Sequence, residues 1–302
     1  MGRGEATGAG ASPFDDLGVA VGEGEPLAHH TWLGIGGPAR WFCEPVDAAA
    51  LSRIVRRCRE RAIPLRVIGG GTNVLVPSAG FDGMVVRLSA PAFGAVAVER
   101  PGVVAGAGAK LVHVVSAAVQ AGLGGLETLV GIPGTVGGAL VGNAGGRGGD
   151  IGDRVAAVTV MLADGEVVER RGAELAFGSR WSNLDDVVVL GCRLDLDEED
   201  PDLLTKRMQK RWIVDRAEQP AGVRSVAMMF KDPHGATAEA LVAQAGGRDI
   251  RVGEAAVHSP RSNFVVAHPG CTSEDVRMVI EQARGRVRER VGVDLALQIE
   301  SW

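Results

Sequence analysis

A chain of 302 residues, 46% of them hydrophobic, can bury full-sized cores, and its length allows about two domains. A net charge of −5 gives no global positive field for nucleic acid or an anionic membrane surface, so neither is expected as a partner. Cys43, Cys58, Cys192 and Cys271 lie far apart with no Cys-x-x-Cys pair, which argues against zinc or a disulfide framework and for buried thiols in a reducing cytoplasm.

Residues 1–24 are rich in glycine, alanine and acid, with no apolar stretch of signal-peptide length, and are expected to form a disordered tail on a cytoplasmic protein. No run of about 18 apolar residues occurs, so no membrane insertion is expected. Strand patterns follow at 65–68, 84–88 and 103–105, then a helix over 110–121. A hairpin is predicted from 155–162 and 167–168 about the turn Ala163-Asp164-Gly165-Glu166, with another buried strand at 187–190. The acidic, proline-ended run 195–201 reads as a solvated linker, which divides the chain into a first domain over 25–198 and a second over 199–302.

The second domain opens with a helix over 202–216, whose Lys206, Arg207, Lys210 and Arg211 form a basic strip read as a solvated face. A helix over 238–245 stops at Gly246-Gly247. Thr272 and Asp275 stand at the capping interval of a third helix, with Val276, Val279, Ile280, Ala283, Val287 and Val291 on its core face. The alternating segment 293–300 predicts a closing strand. The six histidines show no metal-binding spacing.

Two glycine-rich segments carry the chemical signal. Ile68 runs into Gly69-Gly70-Gly71-Thr72-Asn73, and Gly131 to Gly146 contains seven further glycines, the candidate positions there being Ile132, Pro133, Gly134, Thr135, Gly137, Gly138, Asn143 and Gly145. Strand-then-glycine loops can turn consecutive N–H groups inward as an anion nest, so these thirteen positions are the candidate contacts to the diphosphate of a cofactor. No Gly-Lys-Ser or Gly-Lys-Thr follows and no G-x-G-x-x-G occurs, which weakens the P-loop and Rossmann readings; the density of the glycine run points to a flavin enzyme.

In order and spacing, Thr31-Trp32-Leu33-Gly34-Ile35-Gly36-Gly37-Pro38-Ala39, the two glycine-rich loops, Phe177-Gly178-Ser179-Arg180-Trp181-Ser182, Gln219-Pro220, Phe230-Lys231-Asp232-Pro233 and Asn263-Phe264-Val265-Val266 resemble the UDP-N-acetylenolpyruvoylglucosamine reductase family, from about residue 27 to the end. The resemblance implies an α+β fold: a two-subdomain FAD-binding domain of the vanillyl-alcohol-oxidase type, then a smaller α+β substrate domain. It implies FAD as cofactor, NADPH as electron donor, a nucleotide-sugar substrate of peptidoglycan synthesis and a monomer. Arg180 falls on the family's substrate-polarising arginine.

Two positions depart from the family. Its proton-donating serine is Met228 here, and its active-site glutamate is Gln298; neither a thioether nor an amide can supply a proton. Ser179 stands where the family has tyrosine. Losing a positioned general acid costs about 10²- to 10⁴-fold in rate. Glu300, two residues beyond Gln298 on the predicted strand, is a conceivable replacement, as is an ordered water; Ser225 would face away. Alternatives are an impaired or repurposed flavin-binding homologue and a flavin oxidase.

Overall fold

The computed structural model describes residues 12–146, 148–218 and 225–302. β1 (Val21–Pro26) and β2 (Pro38–Cys43) pair antiparallel, and α1 (Ala48–Glu60) carries the chain to β3 (Leu65–Ile68). Asp47 caps α1 by accepting from Ala50 N at 2.7 Å, while Leu51, Ile54, Val55 and Cys58 form its buried stripe. After the short β4 (Val74–Leu75) comes β5 (Phe81–Arg87), which lies parallel between β2 and β3 and completes the first sheet.

β6 (Val96–Glu99) and β7 (Gly102–Gly106) begin a second, antiparallel sheet, followed by α2 (Leu111–Gln120) and α3 (Val136–Val141). The predicted hairpin, Val155–Met161 with Val167–Arg171, and the strand Val188–Asp195 complete its five strands. One core joins both sheets, with Trp41, Met84 and Val86 from the first and Val103, Val158, Val160 and Leu194 from the second, all packed with α1 and α2. α4 (Pro201–Glu218) joins this core through Leu204, packing on α2 and the turn at Glu127–Leu129.

A four-stranded antiparallel sheet, with Val226–Met228 next to Phe264–Ala267, then Ala255–Val257 and Arg251–Val252, forms the C-terminal region. α5 (Ala238–Gln244) and α6 (Ser273–Val291) cover it. The capping box at Thr272 and Asp275 is present, and the predicted stripe of α6 is buried apart from a half-buried Val291. Leu33 and Leu75 enter this second core from the N-terminal region. No helix among the described residues is long and apolar enough to cross a membrane.

Three expectations are corrected. Residues 12–24 are ordered: Phe14 is 1% exposed and meets Trp41 edge-on at 5.6 Å, and Asp16 pairs with Arg57 at 2.7 Å. Bulk composition hides one anchoring aromatic and a strand whose partner is distant in sequence. The acidic run 195–201 is not wholly a free linker, because Leu196 is buried and Asp197–Glu198 pairs with Leu123–Gly124. The closing segment is a strand only at Glu300–Ser301, parallel to β4. Ahead of it Leu297 is 40% exposed and makes only an isolated bridge to Phe230 before the segment pairs with β4.

If residues 12–24 belong to the core, Phe14→Ala lowers unfolding stability by about 3 kcal/mol or more, read by urea denaturation. A loss under about 1 kcal/mol would place the segment outside the core.

Candidate active site

The two glycine-rich loops meet. A Cβ on Gly70 would lie 3.0 Å from the Cα of Gly134, and one on Gly69 would lie 2.5 Å from Thr135 Oγ1. Gly71, at φ +61°, would overlap the carbonyl oxygen of His30, while its own carbonyl accepts from Trp32 N at 2.8 Å. These glycines are required by loop-to-loop contact as well as by any ligand. Gly134 differs: at φ +121° its added Cβ would meet only Thr72 Oγ1 within 4 Å, so that side of the loop is open.

Counting the amides sharpens the picture. Val136 N donates to Ala109 O at 2.9 Å and Gly137 N to Ala107 O at 2.8 Å, closing the second loop onto the turn between β7 and α2. Gly138 N goes to Thr135 Oγ1, and Ile132 N, one residue before Pro133, goes to Leu129 O. Among the described residues, no acceptor faces the N–H groups of Gly70, Gly71, Thr72, Gly134 or Thr135. This smaller set, on two loops in contact, fits a diphosphate bridge; the sequence had suggested the entire glycine run.

Asn73 looks elsewhere. Its Nδ2 donates to Gln298 O at 2.7 Å and its carbonyl accepts from Glu300 N at 2.9 Å, which hooks the C-terminal segment to the first loop. Gln298 N in turn donates to Met229 O at 2.8 Å, so the strand bearing Met228, the Gln298 segment and the first loop are adjacent. Gln298 Oε1 is buried with no hydrogen-bond partner among the described residues. Met228 is half-buried and stands opposite Phe264. Both atoms of the Asn263 amide bind the backbone of buried Phe230, at 3.0 and 2.9 Å, which stiffens this strand.

Arg180 occupies the tip of a two-residue hairpin between Phe177–Gly178 and Trp181–Ser182, with φ +55°. Asn143, itself at φ +40° and 3% exposed, donates to Gly178 O at 2.8 Å and accepts from Gly152 N at 3.0 Å. Ser182 Oγ donates to Val141 O at 2.9 Å, and Lys231 Nζ donates to Arg180 O at 3.0 Å. Gly145 lacks a side chain because Asp150 fills that space. Burial pushes the Asp150 carboxyl above the ordinary carboxylate range; the positive charge of Arg180 opposes this and Asp153 adds to it. Lys231 lies in a quoted motif without an assigned role, and Asp150 has no local signal, because its neighbours come from three separate segments.

Two further readings change. Glu300 is half-exposed and faces Arg66 at 3.8 Å, so it is not turned inward as Gln298 Oε1 is. The basic strip is only partly a solvated face: Arg207 pairs with Glu199 and with buried Glu127, and Arg211 pairs with buried Asp215 at 2.7 Å. Asp215 lies against Gly131, and Arg207, Lys210 and Arg211 line a cleft of about 700 Å³ shared with Asp150 and Arg154. Gln219 and Pro220 lie outside the described residues.

Comparisons with known proteins agree with this geometry. A family model described as FAD binding domain matches residues 39–171, and one described as UDP-N-acetylenolpyruvoylglucosamine reductase, C-terminal domain, matches residues 219–302. The UDP-N-acetylenolpyruvoylglucosamine reductase of Rhodopirellula baltica is 41% identical, over 95% of this chain and 94% of its own. A second such reductase, from Symbiobacterium thermophilum, is 36% identical over 92% and 91%. The crystal structure of the Thermus caldophilus reductase superposes with a TM-score of 0.79 at 34% identity, covering 94% of this chain and 98% of that one. The 6-hydroxy-D-nicotine oxidase of Arthrobacter nicotinovorans, at 14% identity and a TM-score of 0.63 over 95% and 90%, shares the fold alone.

Gly70→Ala would oblige Gly134 to shift by a few tenths of an ångström and is expected to weaken FAD binding at least about tenfold, equivalent to about 1.4 kcal/mol, in a flavin fluorescence titration. An unchanged affinity would show that loop spacing does not hold the cofactor.

Proposed function

The chain belongs to the UDP-N-acetylenolpyruvoylglucosamine reductase family, and from that footing we propose that it reduces the enolpyruvyl ether of this nucleotide sugar to UDP-N-acetylmuramate, with NADPH as electron donor. The carrying observation is the hook at Asn73, which joins the glycine loops of the first region to the Gln298 segment of the second. In this proposal the cofactor lies against residues 25–198 and the nucleotide sugar against residues 199–302.

The amides of Gly70, Gly71, Thr72, Gly134 and Thr135, which have no acceptor among the described residues, would hold the FAD diphosphate. What bound FAD supplies is transfer of a hydride equivalent from NADPH to the substrate's double bond. The hydride adds to the terminal CH₂ carbon, and negative charge gathers on the neighbouring carbon and its carboxylate. Arg180, presented from its hairpin tip, is assigned to that carboxylate and lowers the cost of the developing charge. A proton must then reach the carbon that bears the ether oxygen.

Met228 has no proton to give and Gln298 has none to spare. We assign the proton to water. Gln298 Oε1, buried and unpartnered, can accept a hydrogen bond from such a water and turn its other hydrogen toward the substrate. The nucleotide-sugar reductase remains the reading favoured over an oxidase, because the motif and length match extends through the C-terminal region.

Steady-state NADPH oxidation driven by the enolpyruvyl nucleotide tests the assignment; a bound flavin that NADPH reduces but this substrate never reoxidises would remove it. Met228→Ser with Gln298→Glu is expected to raise kcat at least about tenfold, since a positioned acid contributes about 10²- to 10⁴-fold. No gain would mean that solvent protonation is not what limits turnover.

A further inference from the structure

We propose that Lys231 is a positioning residue for Arg180, acting through the arginine's backbone and not through the substrate. The inference rests on the reading that Arg180 serves the reduction of an enolpyruvyl nucleotide sugar. Arg180 sits at φ +55°, a left-handed conformation that side chains other than glycine, asparagine and aspartate seldom adopt. Such a residue persists only where its surroundings over-determine it.

The ties on the hairpin divide by position. Asn143 Nδ2 on Gly178 O and Ser182 Oγ on Val141 O fasten its two arms to the first region. The tip itself is held by Lys231 Nζ, 3.0 Å from Arg180 O, and Lys231 comes from the other region of the chain. Its backbone is rigid: Lys231 N donates to Ala296 O at 2.9 Å, and the preceding Phe230 is fully buried with both its amide and its carbonyl on the Asn263 side chain. Among the described residues, no carboxylate lies within ion-pair distance of the ammonium. A lysine that would ordinarily seek an acid is spent on a main-chain carbonyl instead.

The consequence is a direct mechanical line from the Gln298 segment to Arg180. Ala296 is two residues from Gln298 and one from Leu297, which bridges Phe230. Lys231 therefore sets the position of the arginine tip relative to the segment that carries Gln298 and to the strand that carries Met228. A lysine hydrogen-bonded to a carbonyl fixes a distance, whereas a flexible surface ammonium would only add charge.

The test compares Lys231→Met and Lys231→Arg in the FAD-loaded protein. Misplacing a reacting group by about 1 Å costs about 10²-fold, so Lys231→Met is expected to lower kcat about 10²-fold with KM and FAD affinity within about threefold of wild type. Lys231→Arg, which keeps a donor, should recover at least about a third of kcat. In an Arg180→Ala background, Lys231→Met should add less than about twofold, because the two residues act as one unit. A rise in KM alone, or full additivity with Arg180→Ala, would overturn the proposal by showing that Lys231 contacts substrate directly. Amide exchange at Trp181 reads the latch without turnover: Lys231→Met should speed it at least about tenfold, and unchanged exchange would overturn the latch even where the substrate assignment holds. If wild-type protein fails to turn over the substrate, the substrate assignment falls and the exchange measurement alone decides the latch; if Lys231→Met does not fold, Lys231→Gln takes its place in every arm.

Discussion

The contact between Gly70 and Gly134 is the constraint on which the rest of the site depends. An added Cβ on Gly70 would lie 3.0 Å from the Cα of Gly134 and one on Gly69 2.5 Å from Thr135 Oγ1, so the two runs of backbone are in close contact, while the far side of Gly134 is open. The first loop leaves β3 at the edge of the parallel part of the first sheet; the second leads into α3 and is stitched by Val136 and Gly137 to the turn after β7. Two sheets that share one core therefore set the spacing between two loops. The proposed diphosphate site would be a property of the packing, and the glycines are what allow the packing.

Asn73 extends that constraint to the other region. By binding Gln298 O with its side chain and Glu300 N with its carbonyl, it ties the first loop, the proposed cofactor-binding loop, to the C-terminal segment. The last residues reinforce the join: Trp302 N donates to Leu75 O at 3.1 Å and its ring meets Phe81 at 5.5 Å. Ser273 at the start of α6 binds Val76 O, and Leu75 packs into the second core. The short segment 73–76 thus joins the two regions, since Leu75 packs into the second core while Val76 packs beside it with Leu27 and with Phe42, Ile68 and Val85 of the first sheet, and the region that would receive the substrate is registered against the region that would hold the flavin.

Backbone strain is concentrated around the Arg180 hairpin. Of the described non-glycine residues with positive φ, Asn143 and Arg180 lie within one hydrogen-bonded group, and Asn143 holds the hairpin that Arg180 tips. Strain of this kind costs about 1 to 3 kcal/mol per residue, and the surrounding bonds at Gly178, Gly152, Val141 and Lys231 offset it. Met228 pairs in a strand ladder and Gln298 N is hydrogen-bonded to Met229 O, so the proposed departures at these positions concern side-chain chemistry.

Residue order alone was enough to establish the family, the two-region α+β plan, the hairpin at 155–171 and the capped helix at Thr272, because each rests on local chemistry: glycine runs, turn residues, capping intervals and hydrophobic period. By resemblance it also sets Met228 and Gln298 at the positions proposed for the family's serine and glutamate, since that is a matter of identity at a position. Tertiary structure decided the remainder. Phe14 is an anchor only once Trp41 is beside it, the alternation of 293–300 is broken because the segment makes an isolated bridge to Phe230 before it pairs with β4, and Glu300 turns toward Arg66 while Gln298 Oε1 is buried. Which glycine amides remain available, and that Lys231 reaches Arg180, depend on groups separated by tens to hundreds of residues. Period and composition report what each segment prefers by itself; which donor meets which acceptor is settled only when the segments are packed together.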